Sequence, residues 1–183
     1  AVQTVVVAIN AMLGAYGSTI DSGTPSNYRQ GSDADMSMFI NEVKAGQIGA
    51  VIFYNANPVY NHPRGAELGQ ALSKIGLTIS TNDRADETGS LCKYNTPDSH
   101  YLESWNDAEP KRGYFSFSQP TISTIFKTRQ TQSSLLKWAG MNADYTVYLE
   151  NAWVSTLGNT TAWSKALHDG VYEPGTSALF NAP

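Results

Sequence analysis

Cysteine is all but missing from this sequence: Cys92 stands alone among 183 residues. A cubane iron–sulfur cluster usually takes about four thiolates, a c-type haem needs a Cys-x-x-Cys-His attachment, and a structural zinc site needs at least two cysteines. None of these can form within this chain alone. Histidine is equally sparse. His62, His100 and His168 are far apart in sequence and make no i, i+3 or i, i+4 ligand pair. Charge is also scarce, at 15% of residues, against roughly 25% in an average soluble domain. So lightly charged a surface is expected to be covered in part by something else.

The basic residues that exist are scattered. Lys111-Arg112 is the longest basic cluster, and 12 basic against 16 acidic residues leave a net charge of −4. That excludes a nucleic-acid partner, which requires clustered Lys and Arg to neutralise phosphates. Apolar runs are short. Val5 to Ile9 is five residues long, far below the roughly 18 of a membrane span, and no apolar signal segment follows a basic start. The chain opens on Ala1 rather than Met, which leads us to expect a processed chain or a piece of a longer one. Phosphate-binding Gly-x-x-x-x-Gly-Lys-Ser/Thr, dinucleotide Gly-x-Gly-x-x-Gly and the Gly-x-Ser-x-Gly nucleophile elbow are all missing.

What is present alternates between helical and strand patterns. Val2 to Leu13 is apolar and closes at Gly14, which reads as a buried helix, with a strand as the alternative. Asp21 to Gly31 is a loop by composition. Ser32 or Asp33 caps a helix carrying Met36, Phe39, Ile40 and Val43 at helical spacing, ended by Gly46. Ile48 to Tyr54 is a continuous apolar, β-branched and aromatic run, the pattern of a strand buried on both faces. Pro63 is placed in the first turn of a helix over Ala66 to Ile75, with Gly76 as its C′ residue. Leu77 to Thr81 reads as a second strand and Asp83 to Cys92 as a short helix. Strand, helix, strand predicts a parallel βαβ unit and an α/β fold. Tyr94 to Thr124 reads as aromatic loop with one strand at Gly113 to Ser118. Helices follow at Thr128 to Ala139 and Ala143 to Leu157, a last helical turn at Trp163 to His168, and a tail from Val171 to Pro183. We expect an α/β domain over 1–140 and a helical C-terminal extension and tail over 141–183.

In open α/β sheets ligands sit beyond the carboxyl ends of the strands. Two such ends are visible: Asn55, Asn57 and Pro58 after the first strand, and Thr81, Asn82 and Asp83 after the second. Their amides, hydroxyl and carboxylate suit a nucleobase, ribose or pyrophosphate. Equally, Asn-x-Asn-Pro is a common turn whose side chains satisfy local backbone groups, and the residues alone leave both readings open. The acidic residues Asp86, Glu87, Glu103, Asp107 and Glu109 are candidates for acid–base work, but surface or capping roles are commoner. Cys92 has no neighbouring histidine, and its default reading is an inert, buried thiol. A catalytic centre wholly inside this chain is therefore not expected.

The order of these segments resembles a known family. Gly49-Ala-Val-Ile-Phe-Tyr-Asn-Ala-Asn-Pro58, a helix, Leu77-Thr-Ile-Ser-Thr-Asn-Asp83, Asp86-Glu-Thr-Gly89, then Pro97 and Leu102-Glu103, resemble a stretch of the molybdopterin oxidoreductases. Longer matches resemble the molybdopterin-oxidoreductase-like iron–sulfur B subunit of alternative complex III, a bacterial respiratory quinol:acceptor oxidoreductase. They include Thr24-Pro-Ser-Asn-Tyr-Arg-Gln-Gly31, His100-Tyr-Leu-Glu-Ser-Trp-Asn-Asp-Ala-Glu-Pro110, Phe126-Lys-Thr-Arg-Gln130 and Leu135-Leu-Lys-Trp-Ala-Gly140. That subunit is far longer, so the resemblance implies an internal fragment.

The resemblance implies a three-layer α/β sandwich around a short, mostly parallel, Rossmann-like sheet, as in the formate dehydrogenase and DMSO reductase domains, with added C-terminal helices. In the molybdenum enzymes the crevice holds part of a molybdopterin guanine dinucleotide, which would engage Asn55, Asn57, Thr81 and Asp83. In those enzymes a Gly-containing segment and an Asn-x-Glu-Gly-Arg-like stretch follow the Glu, whereas Ser104-Trp-Asn-Asp-Ala-Glu-Pro110 stands here. The resemblance therefore implies a vestigial crevice without cofactor or metal. The domain would be non-catalytic, with iron–sulfur clusters elsewhere in the full-length subunit. It would sit among other subunits of a membrane-bound respiratory complex, on the periplasmic side of a bacterial inner membrane, with no span of its own. Two alternatives stand beside this: part of a pterin-cofactor catalytic subunit, and a stand-alone small-molecule-binding domain.

Overall fold

A computed structural model describes residues 2–174. Its α/β architecture is the class that the alternating patterns predict. The chain forms two compact units, one gathering Ala1–Gln30, Asp107–Phe117 and Lys165–Pro183, the other Gly31–Asn106 and Ser118–Ser164.

The larger unit is built on a parallel sheet of order β1-β2-β3, with β1 at Ala50–Phe53, β2 at Leu77–Ser80 and β3 at Tyr94–Asn95. Register pairs Ala50 with Leu77 and Phe53 with Ser80, and Ile79 with Tyr94. The connection from β1 to β2 carries α3 (Pro58–Asn61) and α4 (Gly65–Ala71), and α2 (Asp33–Lys44) precedes β1. As expected, Ser32 caps α2, its side chain accepting from the Asp35 N–H, which satisfies one of the first-turn donors that a helix leaves orphaned. Ile40 and Val43 of α2, Phe53 of β1, and Leu68, Ala71, Leu72 and Ile75 form one buried core. α5 (Thr131–Trp138) and α6 (Tyr145–Leu157) follow, burying Leu136, Tyr145, Leu149 and Trp153.

The smaller unit contains α1 (Val2–Met12) and an antiparallel sheet of order β4-β5-β6, at Asn106–Lys111, Tyr114–Ser118 and Val171–Tyr172. β4 was not readable as a strand because it contains Pro110; Pro is tolerated here because β4 lies at the end of the sheet order. β6 pairs Tyr172 with Phe115 and Val171 with Ser116, so the expected tail begins as a strand. Its remainder, residues 175–183, lies outside the described residues. α7 is longer than the single turn expected, running Thr160–Asp169, because the Asn159 side chain caps it by accepting from the Ala162 N–H.

Five local expectations are corrected. α1 is a helix, but none of its described residues is buried: Val2, Val5 and Ile9 all stand in solvent. Its apolar sequence signals a face to be covered, and the described residues do not cover it. β1 is not buried on both faces, because it is a sheet edge whose Val51 and Phe53 face the core while Ile52 is 41% exposed. Pro63 starts no helix. Pro58 occupies the first position of α3, and α4 opens at Gly65, where a Cβ would lie 2.2 Å from the Val59 carbonyl oxygen. Gly76 is not a left-handed cap, since a 3-10 turn at Leu72–Lys74 leads into extended Ile75. Its smallness serves the sheet, where a Cβ would meet the Gly49 carbonyl at 3.2 Å. Finally, Asp83 to Cys92 contains only a 3-10 turn, Gly89–Leu91, because its side chains bind the strand ends instead.

Candidate functional site

The parallel pairing of β1 and β2 sends both chains off the same sheet edge, which places Asn55–Asn57 beside Thr81–Asp83. The Thr81 N–H donates to the Phe53 carbonyl at 2.9 Å, and its hydroxyl donates to the same oxygen at 3.3 Å. Beyond this, Asn82 stitches the two loops together. Its Oδ1 accepts from the Ala56 N–H at 3.3 Å, and its Nδ2 donates to the Ala56 carbonyl at 3.0 Å and to Asp86 Oδ2 at 2.7 Å. A cleft of about 410 Å³ lies over these loops, lined by Asn55, Asn57, Asn61, Asn82, Asp83 and Asp86 among others.

Of the residues singled out in the sequence, Asn55, Asn57 and Asp83 line this cleft. Thr81 is 2% exposed and its hydroxyl is turned to the β1 carbonyl. Asn57 is fully committed to the loop after β2. Its Oδ1 accepts from the Thr88 N–H at 3.1 Å and hydroxyl at 2.7 Å, and its Nδ2 donates to Glu87 at 2.7 Å. Thr88, completely buried, also accepts from the Val59 N–H. Asp86 Oδ1 accepts from the Gly89 N–H at 2.7 Å, and Gly89 is required there, because a Cβ would lie 2.8 Å from Asn95 Oδ1. Asn55 holds φ +48°, a left-handed conformation that Asn tolerates better than most residues, and its side chain makes no hydrogen bond among the described residues.

The sequence named Asn82 at the second strand end but not its role as the stitch, and it did not single out Thr88, the buried anchor of this edge. The signal was the row of short polar side chains after a strand, Thr81-Asn-Asp83 and Asp86-Glu-Thr88, which is ambiguous because such residues serve turns and ligands alike.

The electrostatics are acidic. Asp83 is ion-paired with Arg84, Oδ2 to Nη2 at 2.8 Å, and the guanidinium holds its carboxyl below the usual range. Asp86 and Glu87 carry no cationic partner. Two of the other carboxylates considered for acid–base work serve as backbone acceptors: Glu103 takes the His100 and Ile125 N–H groups, and Glu109 takes that of Gly113. Burial first, with the Asp86 charge adding to it, pushes the Cys92 thiol up, against a smaller opposing bond from Thr78. Among the described residues no three His, Cys, Asp or Glu side chains gather as a metal site.

This donor set does not fit a dinucleotide pyrophosphate. Such a group seeks free backbone or amide N–H donors and a cation. Here Asn57 and Asn82 already spend their amides on each other's loops, and the one arginine is neutralised by Asp83. Asp86 and Glu87 would repel the ligand.

No family model matches the chain. The chain is similar to the molybdopterin-binding-like subunit of menaquinone reductase from Nitratidesulfovibrio vulgaris (strain Hildenborough), at 26% identity over 113 residues. The match covers 58% of this chain and 16% of that subunit. It supports, at the coarse level only, a distant relation to molybdopterin-type oxidoreductases.

Proposed function

We propose that the chain is a cofactor-free structural domain of an electron-transfer subunit in a bacterial respiratory quinol:acceptor oxidoreductase of the alternative complex III type. The observation that carries this reading is the self-satisfied crevice. The amides of Asn57 and Asn82 and the hydroxyl of Thr88, which would otherwise be offered to a cofactor, close onto one another. Similarity to a molybdopterin-binding-like subunit of menaquinone reductase supports the same reading. On this reading the domain props up neighbouring subunits on the periplasmic side of an inner membrane, and iron–sulfur clusters carry electrons elsewhere in the longer subunit. No described helix is long and apolar enough to cross a membrane, so attachment would come through other subunits.

The competing reading makes this a molybdopterin-guanine-dinucleotide site using Asn55, Asn57, Thr81 and Asp83, and the mismatch of charge and donors argues against it. Asp83→Ala in the assembled complex tests the choice. Quinol oxidation within twofold of wild type is expected, and a loss beyond about tenfold (about 1.4 kcal/mol of transition-state stabilisation) with the complex intact would overturn the structural reading.

A further inference from the structure

A second cleft of about 410 Å³ opens on the other side of Asn55, lined by Tyr54, His100, Tyr101, Asp98, Gln130 and Gln132 among others. Sequence reading did not assemble it, because its walls come from β1, the loop before β4 and the first turn of α5. Its volume falls within the range of small-molecule sites. Three features narrow what it would take.

The first is charge. Asp83, paired with Arg84, and Asp98 line the cleft and no Lys or Arg lines it, so an anion entering it would meet carboxylates and no lining cation to pair with. The second is unsatisfied polarity. One lining residue, Gln132 in the first turn of α5, holds a buried side-chain oxygen, Oε1, with no hydrogen-bond partner among the described residues. Buried polar atoms are almost always bonded, so such an exception beside a cleft calls for a reason. Gln132 is held at the wall by its Nε2 donating to the Tyr54 hydroxyl at 3.0 Å. The third is the mixture of groups. Tyr54 and Tyr101 present rings that are 41% and 68% exposed. Around them stand the unengaged Asn55 amide and the His100 imidazole, whose Nδ1 accepts from the Leu102 N–H, leaving Nε2 to carry the proton.

We propose that this cleft binds a neutral cyclic polyol, of the size of one or two pyranose rings. Each ring hydroxyl both donates and accepts, which matches a wall holding side-chain amides, carboxylates and an imidazole. The C–H face of a pyranose is an apolar plate that packs on an exposed tyrosine ring. The proposal does not require the cofactor-free reading of the neighbouring crevice: the two clefts share Asn55 and Asp83, but Tyr54, Asp98, His100, Tyr101 and Gln132 line only this one, and either reading could fail alone.

Titration of the 183-residue chain, followed by calorimetry and by amide NMR shifts, tests it with methyl β-D-glucoside, maltose and glucose 6-phosphate. Saturable binding of the neutral glycosides is expected, with glucose 6-phosphate at least about tenfold weaker because its phosphate finds no cation. Preference for maltose would identify a glycan end, and equal binding of the monosaccharide a free sugar. Gln132→Leu is expected to weaken binding by about tenfold while changing thermal stability little, since the exposed bond it loses to the Tyr54 hydroxyl is offset by removal of a buried oxygen that has no partner among the described residues. A merely structural Gln132 would not split binding from stability in this way. No saturable binding up to about 10 mM, where even millimolar affinity is visible, would overturn the proposal. So would glucose 6-phosphate binding as tightly as the glucoside, or Gln132→Leu leaving affinity unchanged.

Discussion

Asn82→Ala is the sharpest probe of how this strand edge is held. The side chain is 7% exposed and makes three hydrogen bonds, two to the Ala56 backbone and one to the Asp86 carboxylate. A neutral bond contributes about 1 kcal/mol net and one to a charged acceptor about 1.5–3. The Ala56 bond at 3.3 Å is long, and the open cleft lets water replace part of what is lost, so the cost settles near 2–3 kcal/mol. In urea that moves the midpoint by about 1 M, and in a thermal scan by roughly 5–10 °C. Asp83→Ala is the control one residue away. Its ion pair with Arg84 is exposed, and such pairs contribute less than about 1 kcal/mol. Equilibrium denaturation monitored by circular dichroism reads both variants. An Asn82→Ala cost below about 1 kcal/mol, or an Asp83→Ala cost as large as that of Asn82→Ala, would refute the claim that Asn82 stitches the loops.

Three further outcomes follow from the same contacts. Gly65→Ala forces a Cβ to within 2.2 Å of the Val59 carbonyl and 2.7 Å of that of Pro58, so it should destabilise by at least about 2 kcal/mol by the same denaturation assay. Cys92, half-buried with its thiol pushed up by burial, should alkylate with iodoacetamide at pH 8 more slowly than a model thiol and reach model rates in urea. Glu67 is held down to about 2, first by its bond to Arg64 and then by that to Lys44. A folded value below the unfolded one means that its contribution is complete above about pH 4.5 and is lost as pH falls toward 2. Wild type should therefore lose more stability than Glu67→Gln on acid titration through that window, and parallel curves would contradict the assignment.

Helices and parallel strands were legible where one face had to be buried, as with Met36, Phe39, Ile40 and Val43 on α2, because periodicity is a local property. The placement of the two loop ends was equally legible, since parallel strands joined by one crossover leave the same edge. Less visible was what depends on distant partners. The open outer face of β1, with Ile52 and Tyr54 in solvent, follows from its place at the sheet edge and not from its composition. β4 hid behind Pro110, and the interleaving of residues 107–117 with both ends of the chain in one unit has no local signature. At the candidate site the sequence supplied the right row of polar residues but not their commitments. That Asn57 and Thr88 bond to each other follows from how the fold brings the two loops together, because by sequence the same side chains could serve a turn or a ligand. The second cleft was invisible for a similar reason: Tyr54 and Gln132 are 78 residues apart.

The central claim is that the crevice beyond β1 and β2 holds no pterin cofactor. Elemental analysis of the purified, intact subunit, paired with release and fluorescence assay of oxidised pterin, tests it most directly. The account predicts molybdenum and tungsten far below one atom per chain and no releasable pterin. Stoichiometric metal with an equivalent of pterin guanine dinucleotide, lost on Asn57→Ala or Asp83→Ala, would contradict it.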